Sequence, residues 1–321
     1  GNAMKVTYAA AIGDALKEEM RRDGKVLIYG EDIAQFGNIF GITRGMLEEF
    51  GPKRVRNTPI TETAIIGSAI GAAETGLRPC VELMYDDFAT ECADPLFNQA
   101  AKIRYMTGGQ CHVPMVLRAP MGAGRRNAGQ HSQSLENFFC HFPGLKVVAP
   151  CTAQDAKGLL KSAIRDDDPV IFLEHKLLYA HKEQIPEEEY TIPLGQADIK
   201  REGKDITIIT FSLEAAKTLA EQGIDAEVLD LRTLVPLDWD AIVQSVSKTH
   251  NAIIVSEEVK RGSFAGELSA QIAEELFDEL DAPVERVCGL NICSPFSPVL
   301  EDENFPHPET IVAAAKRVLN K

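Results

Sequence analysis

The sequence predicts a two-domain α/β protein built on mostly parallel sheets. Three observations carry this expectation. Short apolar runs alternate with helix-periodic runs along the chain, the pattern of parallel strands covered by helices on both faces. With 321 residues, the chain exceeds the length of roughly 250–300 at which a single core stops growing. The alternation breaks once, from Leu178 to Gln196, where Pro186, Glu187, Glu188, Glu189 and Pro193 cluster. The boundary belongs there, giving one domain over residues 4–189 and a second over 190–321.

Taken in order, Thr7 caps a first helix. Tyr8, Ile12, Leu16 and Met20 share one face of it, and Gly24 ends it. Val26–Gly30 is a strand with Glu31 and Asp32 at its C-terminal end. Residues 36–45, rich in glycine among apolar residues, read as an ordered loop. A short extended run from Val55 leads through Thr58 and Pro59 into a helix with small residues at 64, 67–69 and 71–73 and a stop at Gly76. That composition suggests a buried helix whose backbone lets a neighbour come close. A strand over Pro79–Met84 precedes Asp86, Asp87 and Phe88. A long helix to Met106 follows, which Pro95 kinks or splits. Val113–Leu117 is a strand, followed by a Gly-rich loop carrying Arg125, Arg126 and His131, and then a short helix. Val147–Ala149 is a strand. Thr152 with Asp155 opens a helix to about Arg165, and Val170–Leu173 closes this half. The second half has strands over Ile206–Phe211, Ala226–Leu231, Ala252–Val255 and Val284–Val287, with helices between and a last helix over about Thr310–Leu319.

Composition narrows the function. Apolar residues make up 45% and charged residues 25%, ordinary for a globular domain. The net charge of −15 argues against nucleic acid and against an anionic membrane surface as partners. No apolar run approaches the roughly 18 residues of a membrane span. Gly1-Asn2-Ala3 before Met4 reads as an expression scar, and no signal peptide is visible. The seven cysteines are scattered without a Cys-x-x-Cys pair, which points to reduced thiols in the cytoplasm. The chain has no G-x-G-x-x-G, P-loop, G-x-S-x-G or His-x-x-x-His motif. A two-domain α/β protein without its own phosphate loop can borrow one from a partner chain.

Glu62 is the residue of greatest interest. It falls on the first turn of a helix at the C-terminal end of a strand, where open α/β sheets bind ligands. On local sequence alone it also serves as a helix-dipole carboxylate, worth about 0.3–1 kcal/mol, with Thr61 as N-cap.

Six segments occur in a fixed order: Val55–Glu62, Gly76–Pro79, Gly129–Gln133, Pro143–Val148, Lys161–Asp166 and Pro169–Glu174. Together they resemble the β subunit of the thiamine-diphosphate-dependent first component of 2-oxo acid and acetoin dehydrogenase complexes. The resemblance runs from about Thr7 to the C-terminus. Within it, Phe172–Lys176 is more similar to acetoin and bacterial pyruvate enzymes than to branched-chain ones.

The resemblance implies a transketolase-like pyrimidine domain followed by a transketolase C-terminal-like α/β domain. It implies an α2β2 heterotetramer in which the α subunit holds the cofactor diphosphate and Mg²⁺ through a G-D-G…N motif. This chain has no G-D-G, since Gly13-Asp14 continues to Ala15. The implied activity is cleavage of acetoin or decarboxylation of pyruvate, with acyl transfer to lipoyl on an acyltransferase core. The alternatives are a branched-chain 2-oxo acid dehydrogenase β subunit or a non-catalytic binding subunit of the same fold.

Position by position, Glu62 matches the carboxyl that bonds the pyrimidine ring nitrogen, and Phe88 the aromatic that stacks on that ring. Glu91 stands where many relatives carry Gln. His131 matches the histidine near the reacting carbons. Arg125 and Arg126 lie in the loop beside the site entrance. Met115, Ala163, Asp166 and Asp168 match a K⁺ site that uses mostly backbone oxygens; the same Asp166–Asp168 run also reads as a polar turn.

Overall fold

A computed structural model describes residues 1–211 and 223–320. Two compact units emerge, one from Gly1–Met121 with Phe138–Leu194, the other from Gly122–Asn137 with Gly195–Lys321. The loop that carries Arg125, Arg126 and His131 therefore belongs to the second unit, although its residues fall within the sequence range 4–189.

In the first unit, β1 (Ala3–Thr7) leads into α1 (Tyr8–Arg22), where the Thr7 hydroxyl accepts the Ala10 N–H at 3.0 Å as the N-cap. Next come β2 (Val26–Gly30), the short α2 (Met46–Phe50), β3 (Val55–Asn57), α3 (Glu62–Glu74) and β4 (Arg78–Glu82). The stretch expected as a kinked long helix is split into a 3₁₀ segment over Asp86–Cys92, a π segment over Asp94–Ala100 and α4 (Ile103–Met106). Pro95 stands at the start of the π segment, where its missing N–H breaks the α ladder. Then follow β5 (Val116–Met121), α5 (Glu136–His141), β6 (Lys146–Val148), α6 (Ala153–Arg165), β7 (Val170–His175) and β8 (Lys182–Pro186).

Within this unit the sheet runs β6-β7-β5-β4-β2-β3, all parallel. The stretch read as pure connection instead supplies β8, which pairs antiparallel with β1. Helices α1 and α6 are joined by Arg165, whose guanidinium donates to Glu19 at 2.7 Å and Glu189 at 2.8 Å.

Helix α3 differs from the expectation in two ways. Thr61 precedes it but makes no side-chain capping bond. Only Ile65, Ile66, Ala69, Ile70 and Ala73 face the core with Glu62. Gly67 and Gly71 are exposed, and a Cβ on either would meet nothing within 4 Å.

The second unit holds β9 (Asp198–Arg201), β10 (Ile206–Thr210), β11 (Ala226–Asp230), β12 (Thr233–Val235), α7 (Trp239–Thr249), β13 (Ala252–Val259), α8 (Phe264–Glu275), β14 (Glu285–Gly289), α9 (Pro298–Asn304) and α10 (Pro308–Leu319). Its sheet order is β14-β13-β10-β11-β9, parallel except for the β11–β9 pair. Ile208, Val228, Ile253, Val255 and Ala315 form its core. The helix expected between β10 and β11 falls on residues 212–222, outside those described. No described helix is long and apolar enough to cross a membrane, and none of the seven cysteines is in a disulfide.

Candidate active site

Strand β2 ends at Gly30, beside β3 and β4 in a parallel sheet. The next residue, Glu31, is 9% exposed, and so is Glu62 at the start of α3. The two side chains are hydrogen-bonded to each other. Burial pushes the Glu31 carboxyl up to about 7, with the adjacent Glu62 and Asp32 charges adding to the effect. Burial and a neighbouring carboxylate both disfavour the charged form, so Glu31 holds its proton toward neutral pH. The sequence reading placed Glu31 at the strand end but gave it no role. Its signal was available in that position, at the carboxyl edge of a parallel sheet.

Thr58, whose N–H donates to the Gly30 carbonyl at 2.9 Å, ties the approach to α3 onto the end of β2. Its hydroxyl is buried and lacks a hydrogen-bond partner. Phe88 lies in the 3₁₀ segment, half-buried, edge-on to Tyr85 with ring centroids 5.9 Å apart. The buried Lys176 ammonium sits over the Tyr85 ring at 4.6 Å. Glu91 ends up exposed; its carbonyl accepts the Thr63 hydroxyl, which fastens the 3₁₀ segment to α3.

The four residues expected to form a K⁺ site all have partners within the first unit. The Met115 carbonyl accepts the Val170 N–H at 3.0 Å and the Ala163 carbonyl the Asp166 N–H at 3.2 Å. Lys146 donates to Asp166 at 2.7 Å and lies 3.4 Å from Asp168, which also pairs with Arg104 at 2.8 Å. Lys146 and Arg104 thus already neutralise both carboxylates, and each carbonyl keeps one lone pair.

In the second unit, His131 is half-buried in a loop where Arg126 and Ala128 take left-handed φ of 59° and 62°. Non-glycine residues there cost about 1–3 kcal/mol of strain each and need surrounding support. Arg126 finds it in Glu301 at 3.0 Å and Asp302 at 2.8 Å; Arg125 is exposed. A cleft beside the loop is lined by Gly129, Ser132, Ser134, Asn291 and Ser294. Past His131, the end of the Gly122–Asn137 segment is bolted down within the same unit by Glu258. That carboxylate accepts N–H groups from Asn137 at 3.1 Å and Phe264 at 2.9 Å. Glu136, fully buried and facing Glu258, is pushed well above the ordinary carboxyl value, by burial first and by that neighbouring charge second.

The structure therefore brings Glu62 together with Glu31 and ties the Phe88 segment to α3 through Glu91, while Asp166 and Asp168 stand in ion pairs with Lys146 and Arg104.

Comparison with known proteins gives these arrangements a lineage. Residues 4–182 match the family model "Transketolase, pyrimidine binding domain", and residues 195–311 match "Transketolase, C-terminal domain". The chain is 47% identical to the acetoin:2,6-dichlorophenolindophenol oxidoreductase subunit beta of Bacillus subtilis, covering 99% of this chain and 98% of that one. It is 47% identical to the pyruvate dehydrogenase E1 component subunit beta of Rickettsia felis, with 98% of each covered. Identity to the 2-oxoisovalerate dehydrogenase subunit beta of B. subtilis is 44%, again over 98% of each. A solved split-gene transketolase, described as an inactive beta4 tetramer, superposes with a TM-score of 0.78 at 23% identity over 98% of this chain and 99% of that one, a likeness of fold alone. With nearly full-length identity to dehydrogenase β subunits and both transketolase domains in place, the chain belongs to the transketolase-like family of acetoin, pyruvate and branched-chain 2-oxo acid dehydrogenase β subunits.

Proposed function

We propose that this chain is the β subunit of a thiamine-diphosphate-dependent acetoin or pyruvate dehydrogenase, acting with an α subunit in an α2β2 heterotetramer in the cytoplasm. The acyl unit passes to lipoyl on an acyltransferase core. The observation that carries the reading is the hydrogen-bonded Glu31–Glu62 pair at the first turn of α3. Support comes from the names of the relatives and from the chemistry of the donors.

Thiamine diphosphate, when bound, supplies the nucleophilic carbon and electron sink for carbon–carbon cleavage; the protein supplies position and electrostatics. The residues present suit its pyrimidine end. Glu62 is a nearly buried carboxyl beside Glu31, placed to bond a ring nitrogen. Phe88 offers a half-exposed ring face, and Glu91 faces solvent on the same segment. His131 is the histidine that moves a proton near the reacting carbons. Mg²⁺ and the diphosphate fall to the α subunit, because this chain carries no G-D-G. K⁺ would use the second lone pairs of the Met115 and Ala163 carbonyls, flanked by Asp166 and Asp168. The test of the whole reading is turnover of the reconstituted αβ complex with acetoin, pyruvate and branched-chain oxo acids. Activity of this chain without a partner would overturn it.

A further inference from the structure

The loop after Glu31 is anchored by a buried ion network on strands β4, β5 and β7. Arg118 on β5 is 2% exposed and donates to both Glu174 oxygens at 2.8 Å and to Glu82 at 3.1 Å. The Tyr179 hydroxyl donates to Glu174 at 2.8 Å. The second Glu82 oxygen accepts the side-chain amide of Asn38.

Asn38 is 1% exposed and left-handed, with φ of 74°. Its backbone N–H donates to the Asp32 carbonyl at 2.9 Å, and its Oδ1 accepts the Phe40 N–H at 2.6 Å. Asp32, next to Glu31, is also left-handed, with φ of 56°. Such backbone persists only where the surroundings over-determine it. On the far side, the end of β2 has no room to shift, since a Cβ on Gly30 would lie 3.0 Å from the Glu82 carbonyl.

We infer that Glu82 and Asn38 are positioning residues for the Glu31–Glu62 pair, with Arg118 and Glu174 holding the Glu82 carboxylate within reach of the Asn38 amide. The inference rests on the reading of Glu62 as the carboxyl that faces the cofactor. A buried ion network is a poor source of net stability, because desolvation offsets most of its attraction. Its geometric effect here is specific: one amide fixes the turn that aims Glu31. The charged groups around Glu31 are Glu62 and Asp32; those around Glu82 are Arg118 and Glu174, with the Cys80 thiol nearby.

The experiment uses the reconstituted αβ complex. Asn38→Gly keeps the left-handed backbone and removes the amide. Glu82→Gln keeps an oxygen facing that amide. Glu31 titration is followed by carbon NMR of labelled glutamate before thiamine diphosphate is added, with Glu31→Gln assigning the signal. Half-saturation by thiamine diphosphate and the pH profile of kcat are then measured. Asn38→Gly is expected to lower the Glu31 midpoint by about one pH unit. It should also raise the half-saturating cofactor concentration on the order of tenfold, within what a small misplacement costs. Glu82→Gln should stay near the parent in both. If Asn38→Gly does not fold, Asn38→Asp, which keeps the Phe40 contact and repels Glu82, is expected to give the same shift. An unmoved Glu31 midpoint in the folded Asn38 variant overturns the inference, as does Glu82→Gln losing as much as Asn38→Gly. Full activity of Glu62→Gln would instead remove the cofactor reading, while the NMR shift would still report on the loop.

Discussion

The Glu31 carboxyl is hydrogen-bonded to the Glu62 carboxyl, and this contact joins the end of β2 to the start of α3. A lone carboxylate on a first helical turn would be stabilised in its charged form by the helix dipole. Here the acid beside it, Glu31, holds its own proton toward neutral pH, and under the proposed function Glu62 is the group that bonds a ring nitrogen. Glu62→Gln retains the shape and removes the acid. It should leave the melting temperature within a few degrees of the parent and reduce αβ turnover by orders of magnitude. Circular dichroism melts and steady-state assays read the two outcomes separately.

The same pair gives a signed dependence of stability on pH. Glu31 has a folded-state value raised from 4.5 to about 7, so the folded chain binds more protons than the unfolded one between those values. The stabilisation from Glu31 is fully present below 4.5 and is lost as pH rises through 7. Urea unfolding from pH 5 to 8 should show stability falling through this window. Glu31→Gln should flatten that slope by the equivalent of one proton.

Arg118 pairs with Glu82 and Glu174 at side-chain exposures of 3%, 6% and 0%. Arg118→Leu leaves two buried carboxylates without their cation, at a cost of about 3–5 kcal/mol. Replacing all three residues by apolar ones of similar volume should recover most of that loss. Chemical denaturation of the single and triple variants makes the comparison.

The two neighbouring arginines should separate in behaviour. Arg126 holds the Gly122–Asn137 segment to α9 through Glu301, which is 1% exposed and also accepts the Gly124 N–H at 2.5 Å. Arg126→Ala is expected to lower the melting temperature, by an amount limited by the partial exposure of the pair. Arg125→Ala should weaken the salt dependence of the Michaelis constant for a carboxylate substrate. Melts and kinetics at two ionic strengths distinguish them.

His131→Ala should slow reductive acylation of lipoyl more than decarboxylation. Single-turnover measurement of each half-reaction is the check, and equal losses would remove His131 from acyl transfer.

Much of the architecture was legible along the chain because its causes are local. The four-residue spacing from Tyr8 to Met20, the hydroxyl caps at Thr7 and Thr152 and the apolar runs of β2, β7 and β13 each act within a few residues of themselves. The position of Glu62 at a strand-to-helix junction was readable for the same reason. What escaped depends on partners far apart in sequence. Asn38 meets Glu82 across 44 residues, and Arg118 meets Glu174 across 56. β1 pairs with β8, which lies at the far end of the first unit in sequence. Periodicity records which face of an element is buried, but not which element it will be buried against. Which carboxyl stands beside Glu62, and the raised value of that Glu31 carboxyl, were settled by the close approach of chain segments in three dimensions, where burial raises the cost of charge.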